Sequence, residues 1–341
     1  LETGSGNQKH RYNNPGCWVH FPVLESFMTI QSSRRVLVFG AAAHVGGPLA
    51  DCIASQSPET PLRLATSSNA KRSALQDRYP TAEIVIANYF DEDSLVSALR
   101  DVNGLFVITP DFFDEITGME ILVRAIRRSP SVDHIVRILA DTPGMSLAKL
   151  PKELRNLGPG PAHQHFEAQA ILNASALPVT YLNSLGYFMD DFLIHFSPPL
   201  KSSRKLVVPF DRKMCFTECG ELGEAGARLL LQGPGRHAGN YYHFNNGEAP
   251  RLFSQVAALI SEVTGEQVTH DGNPETFIAE LGPLLKELTG DDRAARYFVV
   301  NWQMERDHQD AFFGSEWSSQ ILEREPTTLR SWLTAHRSDL L

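Results

Sequence analysis

From Arg35 onward the chain alternates short apolar runs with longer stretches of helical periodicity. Residues 36–40 (VLVFG), 62–66 (LRLAT), 83–87 (EIVIA), 104–109 (GLFVIT), 134–139 (HIVRIL) and 178–182 (PVTYL) are rich in β-branched residues, and they read as strands. Between them, residues 45–56, 70–78, 91–100, 116–128 and 164–175 read as helices, the fourth with apolar residues at 121, 122, 125 and 126. Strands that alternate with helices pair in parallel through right-handed crossovers. The pattern therefore predicts an α/β fold built on a doubly wound, mostly parallel sheet.

Beyond residue 185 the alternation fades. Residues 206–210 (LVVPF) and 240–244 (NYYHF) read as strands that would join the sheet, 221–232 and 252–264 as helices, and the remainder as mostly helical. The expected division is a nucleotide-binding core over 34–184 and a smaller helix-rich substrate lobe over 185–341. Residues 1–33 are polar, rich in Gly and Asn, and without periodicity until a short apolar stretch broken by His20, Pro22 and Glu25. They are expected to be a disordered or tag-like extension, with Met28 reading as a native start.

The turn after the first strand is Gly40-Ala41-Ala42-Ala43-His44-Val45-Gly46-Gly47. A dinucleotide site needs a tight turn, close backbone approach to pyrophosphate, and a helix start that offers free N–H groups to anionic oxygens. Gly40 suits the turn, Ala42 and Ala43 are small enough for the approach, and Gly46 lets the helix pack on the strand. His44 and Val45 complete the loop. A Rossmann-type sheet follows from this placement. The spacing is G-x-x-A-x-x-G rather than G-x-G-x-x-G. Where an NAD site usually carries an acid after strand two, this chain reads Thr66-Ser67-Ser68-Asn69-Ala70-Lys71-Arg72. Hydroxyls and cations suit a 2′-phosphate, so NADP(H) is expected over NAD(H), with Ser67, Ser68 and Lys71 as contacts.

Charge and cysteine content narrow the classes further. The formal net charge of −9 argues against a nucleic-acid binder. No run approaches the roughly 18 apolar residues of a membrane span. The four cysteines are too few to staple 341 residues; they read as reduced thiols and point to a cytoplasmic protein. Cys215 and Cys219 read as packing residues, and no metal site is expected.

The loop GAAAHVGGPL, the segment IANYFDEDSLVSALRDVNGLFVITP and the segment HFEAQAILNASALPVTYLNSLGYFMDDF, in this order and spacing, resemble the NmrA-like family of atypical short-chain dehydrogenase/reductases. The resemblance runs from about Arg35 to about Gly265. It implies a Rossmann fold that binds NAD(P), with Asn88 facing the adenine and Thr109-Pro110 closing the fourth strand beside the cofactor. The chain departs from the family pattern at Ala43, Ser67, Asn88 and Asn183-Ser184. The Ser–Tyr–Lys set of ordinary short-chain reductases is missing: strand five ends in Ile138-Leu139-Ala140-Asp141, and no Y-x-x-x-K follows.

Two candidates stand in for that set. By the resemblance, His165 takes the place of the family's Lys, and an imidazole titrates near neutrality. Tyr187 follows strand six and offers a phenol, or an aromatic wall. Asp141, Asp190 and Asp191 read as caps and solvated charges, His134 as a surface residue, and His163 as no ligand. The expected function is an NADP(H)-dependent reductase of a small, largely apolar carbonyl or imine/iminium substrate. A regulator that senses NADP(H) through a protein partner, and a non-redox enzyme with a structural dinucleotide, are the alternatives. A homodimer stays open as an assembly.

Overall fold

The structure, a computed structural model, describes residues 34–341; the extension read at 1–33 lies outside the described residues. The first half alternates as the pattern predicts: β1 (Val36–Phe39), α1 (Gly46–Gln56), β2 (Leu62–Thr66), α2 (Asn69–Arg78), β3 (Glu83–Ile86), α3 (Glu92–Ala98), β4 (Gly104–Val107), α4 (Glu115–Arg127), β5 (His134–Leu139), α5 (Lys152–Leu157), α6 (Pro161–Ala174) and β6 (Val179–Ser184). Helix α6 starts before residue 164 because Pro161, with its fixed φ, sits at the first helical position.

The second half holds short strands β7 (Tyr187–Phe188), β8 (Lys205–Val207), β9 (Lys213–Met214), β10 (Phe216–Thr217), β11 (Tyr241–Phe244), β12 (Arg251–Leu252) and β13 (Thr269–Asp271). Its helices are α7 (Ser197–Ser203), α8 (Cys219–Gln232), α9 (Pro234–His237), α10 (Phe253–Thr264), α11 (Pro274–Thr289), α12 (Ala294–Asp307), α13 (Trp317–Leu322), α14 (Leu329–Ala335) and α15 (Arg337–Leu340).

Seven strands form one sheet in the order β11-β6-β5-β4-β1-β2-β3, with every pairing parallel. Strands β1, β4 and β5 are buried along their whole length, as strands covered on both faces must be. The expected strand near 206–210 does not join this sheet. The free edge of β6 is taken by β11, in the register Tyr241↔Tyr181, and β8 pairs with β13 instead. The chain crosses back as well: α8 packs on α1, and Leu222, Ala225 and Leu229 share a core with Val38, Leu49 and Phe106. Gly223 permits that seam, since a Cβ there would lie 2.8 Å from the Leu49 nitrogen. A separate apolar core, including Phe192, Phe216, Phe253 and Trp332, holds the C-terminal lobe.

One ion pair lies inside the sheet's covering. Arg137 on β5 donates to Glu115 at the start of α4, and both side chains are fully buried. Thr109, just past β4, donates to the same carboxylate oxygen at 2.5 Å and accepts from Arg137 at 2.9 Å. Removing one partner leaves the other charge buried and unpaired, which costs about 3–5 kcal/mol. Glu115→Ala is therefore expected to destabilise the fold by an amount in that range, measured by urea denaturation; a shift below about 1 kcal/mol would show that water reaches Arg137.

Candidate active site

The loop from Gly40 to Gly46 has the geometry that a phosphate cradle requires. Gly40 has φ +73°, which side-chain-bearing residues rarely adopt, and a Cβ there would meet Ile108 at 2.7 Å. A Cβ on Gly46 would run into the Gly40 carbonyl and come within 2.9 Å of the Phe39 oxygen. Ala42, Ala43 and His44 are exposed, while Val45 is buried as the residue preceding α1. No side chain caps that helix and no acid occupies its first turn; the Gly47 N–H bonds the Ala43 carbonyl at 2.9 Å and Pro48 has none, which leaves the Gly46 N–H at the helix start for an anion. His44 leans across the cleft, with its ring edge-on to Phe188 at 5.4 Å and Nδ1 3.7 Å from Asp190. His44, Asp190 and Cys219 bring one ligand-type atom each within 4.8 Å of the others, a grouping that their sequence spacing does not suggest.

Beyond β2, Ser67, Lys71 and Arg72 are exposed and Ser68 is half-buried at the head of α2. Neither Lys71 nor Arg72 forms an ion pair among the described residues. Asn88 is exposed after β3; its Oδ1 accepts from the Phe90 nitrogen at 3.0 Å, which leaves its amide NH₂ for a partner. At the end of β4 the expected contacts divide. The Thr109 hydroxyl is committed to Glu115 and Arg137, while the Pro110 carbonyl accepts from Gln164 Nε2 at 3.0 Å and so ties α6 to the sheet edge.

A cavity of about 210 Å³ opens at the C-terminal ends of β5 and β6. Its walls include Phe166, Phe188, Phe196, Phe277, Phe298 and Trp302. His165 and Tyr187 both line it, so the two candidates do meet at one place. The chemistry of each differs from the expectation. His165 is buried, and that burial, reinforced by Arg137, pushes its pKa down to about 3. It is a neutral imidazole at working pH, with Nδ1 unpartnered. Tyr187 receives a hydrogen bond from Arg212 at 2.7 Å and donates to Glu305 at 3.2 Å. Burial pushes its pKa well above the usual phenol range. Arg212 is itself fully buried against Tyr187, Phe253 and Trp302, and its Nε lies 3.3 Å from Glu305.

The acids set aside as caps are central. Asp141 is 7% exposed, and desolvation raises its pKa to about 7 despite a bond from Tyr241. Asp191 is buried and holds the His195 Nδ1 at 2.8 Å. Burial disfavours the His195 charge, but Asp191 and Asp111 outweigh it and leave the net shift upward. Asp111 is an exposed residue that also lines the cavity. Desolvation there raises it to about 6, with His195 opposing and Asp191 adding. Arg212, Glu305, His195 and Asp111 sit in loops or on a helix without local signature, which is why sequence reading missed them.

Two other histidines are structural. His134, expected at the surface, is fully buried because β5 lies between β4 and β6; its Nε2 is 2.9 Å from the Thr180 hydroxyl. Burial pushes its pKa down to about 4, with His237 adding. His163 bonds the Tyr297 hydroxyl at 2.7 Å.

A parallel sheet that bends into a glycine turn and helix at its first strand, with a pocket past its C-terminal edge, defines a Rossmann-type α/β protein. The NmrA-like family model matches residues 32–333, and the chain belongs to that family. Among solved structures it is similar to an NADPH-dependent quinone oxidoreductase of Escherichia coli in complex with NADPH, at 20% identity over 88% of this chain and 99% of that one, TM-score 0.71. It is similar to the Citrobacter triphenylmethane reductase complexed with NADP(H), at 19% identity over 90% and 100%, TM-score 0.71. Nmra, a negative transcriptional regulator, matches at 13% identity over 89% and 95%, TM-score 0.62. At these identities the likeness speaks for the fold. Among the described residues no helix is long and apolar enough to cross a membrane.

The depressed His165 predicts a pH effect of definite sign. A group whose folded pKa is below its unfolded value contributes stability above the unfolded pKa and loses it as pH falls through the folded one. His165 contributes above about pH 6.5 and its contribution declines toward pH 3. Between pH 7 and 5 this decline is worth about 2 kcal/mol. Wild type is therefore expected to lose about that much more stability over this interval than His165→Gln, read from denaturant midpoints; parallel pH profiles would contradict it.

Proposed function

We propose that the protein is an NADP(H)-dependent reductase of a small, largely apolar substrate with a carbonyl or imine/iminium group. The observation that carries this is the juxtaposition of an open phosphate cradle with an aromatic-walled cavity at the C-terminal edge of one sheet. The loop residues Gly40, Ala42, Ala43, His44, Val45 and Gly46 would hold the pyrophosphate through backbone N–H groups. Ser67, Ser68 and Lys71, with Arg72, would take the 2′-phosphate, Asn88 the adenine through its free amide, and the Thr109-Pro110 turn would border the nicotinamide half. The dinucleotide, when bound, supplies hydride.

The chain's own groups then bind, orient and exclude water. Phe166, Phe188, Phe298 and Trp302 line the space for a planar substrate and keep it dry. His165, neutral, can orient a polar group through a ring nitrogen rather than act as a strong acid. The Tyr187 hydroxyl donates to Glu305 and accepts from Arg212, which commits it within the protein and leaves its ring as cavity wall rather than a phenol near its titration point. The missing Ser–Tyr–Lys set favours a second reading, a dinucleotide-sensing regulator that acts through a protein partner; this is supported by the family's inclusion of a solved transcriptional regulator.

Fluorescence titration decides the cofactor. NADPH is expected to bind at least about tenfold more tightly than NADH, a difference of about 1.4 kcal/mol, and the double variant Lys71→Ala, Arg72→Ala is expected to erase the preference. Equal affinities in wild type would contradict it. Gly46→Val is expected to abolish binding of both dinucleotides. Oxidation of NADPH in the presence of quinone, ketone and imine panels separates reductase from regulator. Turnover with none of them, together with NADPH-dependent partner capture, would favour the regulator.

A further inference from the structure

The carboxyl of Asp141 is held where a substrate would meet it. It lies two positions beyond β5, in the wall of the cavity. Asn183 on β6 fixes its backbone from both sides: Asn183 Oδ1 accepts from the Asp141 nitrogen at 2.6 Å, and Asn183 Nδ2 donates to the Asp141 carbonyl at 3.0 Å. The side chain then has one oxygen used and one free. Oδ2 accepts from the Tyr241 hydroxyl at 3.3 Å, while Oδ1 is buried without a hydrogen-bond partner. An unmet acceptor on a side chain only 7% exposed is costly, and a ligand with a donor or a positive charge would relieve that cost.

The charge of the surroundings says which kind of ligand. Asp111, Asp141, Asp191 and Glu305 all line the cavity. The nearby cations are already taken: His195 by Asp191, Arg212 by Glu305 and the Tyr187 hydroxyl, and Arg137 by Glu115. Asp141 has no cationic partner of its own among the described residues. An anion would be repelled here, whereas a cation would find a carboxylate beneath it and the faces of Phe166, Phe298 and Trp302 around it.

We propose that the cavity takes a substrate with a basic nitrogen, an imine bound as its iminium, and that Asp141 supplies that nitrogen's proton and then pairs with the charge. This rests on the reductase reading above and narrows its substrate. In the step, the Asp141 O–H bond breaks and an N–H bond forms on the imine, leaving an iminium–carboxylate pair. The iminium carbon accepts a hydride from the reduced nicotinamide dinucleotide, the C=N π pair moves to nitrogen, and an amine results. The substrate gains two electrons and the dinucleotide loses them. A carboxyl whose pKa burial has raised to about 7 is protonated in a large fraction of molecules at neutral pH, which matches the task. Strand five ends in Ile138-Leu139-Ala140-Asp141, so an acid lies at this sheet end, where no serine is present.

The test uses the full chain and three probes of one shape: 3,4-dihydroisoquinoline (an imine), its permanently charged N-methyl cation, and 1-tetralone (a neutral ketone). Calorimetry without dinucleotide is expected to show the cation binding at least about tenfold tighter than the ketone. Asp141→Asn keeps the shape and the Tyr241 bond; it is expected to weaken the cation about tenfold or more and the ketone by less than about twofold. In wild type, binding of the permanent cation near pH 7 is expected to release a fraction of a proton approaching about one half, as Asp141 ionises beneath it. That measurement stands even if the variant fails to fold. With NADPH present, Asp141→Asn is expected to lower kcat for the imine by about 10²-fold or more, whereas for the N-methyl cation, which needs no proton, it is expected to raise KM with little change in kcat. Equal affinity for cation and ketone, no proton release, or an Asp141→Asn variant that binds the cation as wild type does would each overturn the proposal. NADPH binding with ketone turnover but no cation preference would leave the reductase reading standing and remove this one. A cation held through Asp141 with no dinucleotide affinity would do the reverse, keeping the charge site and removing the reduction step.

Discussion

The buried pair between Arg137 and Glu115 sets the conditions for everything above the sheet's C-terminal edge. Arg137 sits in a strand whose neighbours are apolar on both faces, and it is tolerated there only because Glu115 and Thr109 meet it. The pair thereby joins three elements: β5, the end of β4, and the first turn of α4. It also commits the Arg137 guanidinium to a partner inside the protein. Its field still reaches His165, helping to keep that imidazole neutral, and it partly offsets the desolvation of Asp141. Retaining a buried charge of this kind is costly, and its use here is to place a fixed electrostatic background under a working surface.

The phosphate loop depends on a different constraint, that of steric room. Gly40 turns with positive φ beneath Ile108, Gly46 lets α1 approach the strand end, and Gly223 lets α8 lie against α1. The last of these contacts sets α8 against α1, so the C-terminal half of the chain helps to hold the loop of the N-terminal half in place. The lobe that carries the cavity wall and the loop between β1 and α1 are thus joined through one seam, in addition to the contact of His44 with Asp190 and Phe188.

The cavity itself is unusual in its balance: aromatic walls, several carboxylates, and cations that are each neutralised by a partner within the protein. In a dry pocket a carboxyl either finds a counter-charge or keeps its proton. Asp191 takes the first course through His195, and Asp141 the second. A chain that lacks Ser–Tyr–Lys therefore does not lack acids; it lacks acids that a short motif would reveal.

The alternation of apolar runs and helical stretches was enough to determine the parallel sheet, because strands buried on both faces must be continuously apolar and crossovers have one hand. The glycine-rich turn and the acid-free Ser67–Arg72 segment were equally legible, since backbone sterics and local charge are properties of neighbouring residues. Tertiary structure alone decided the rest. The residues 206–210 could have joined the sheet, but β11 took the edge of β6. His134 reads as polar and lies in the middle of the fold; Asp141 and Asp191 read as solvated and are buried; His165 reads as titrating near neutrality and is held neutral. Burial and the position of distant charges set each of these, and both are fixed only when Arg137, Arg212, Glu305 and Tyr241 arrive from separate segments of the chain. A residue's chemistry follows the dielectric and the partners around it, and neither is encoded in its immediate sequence.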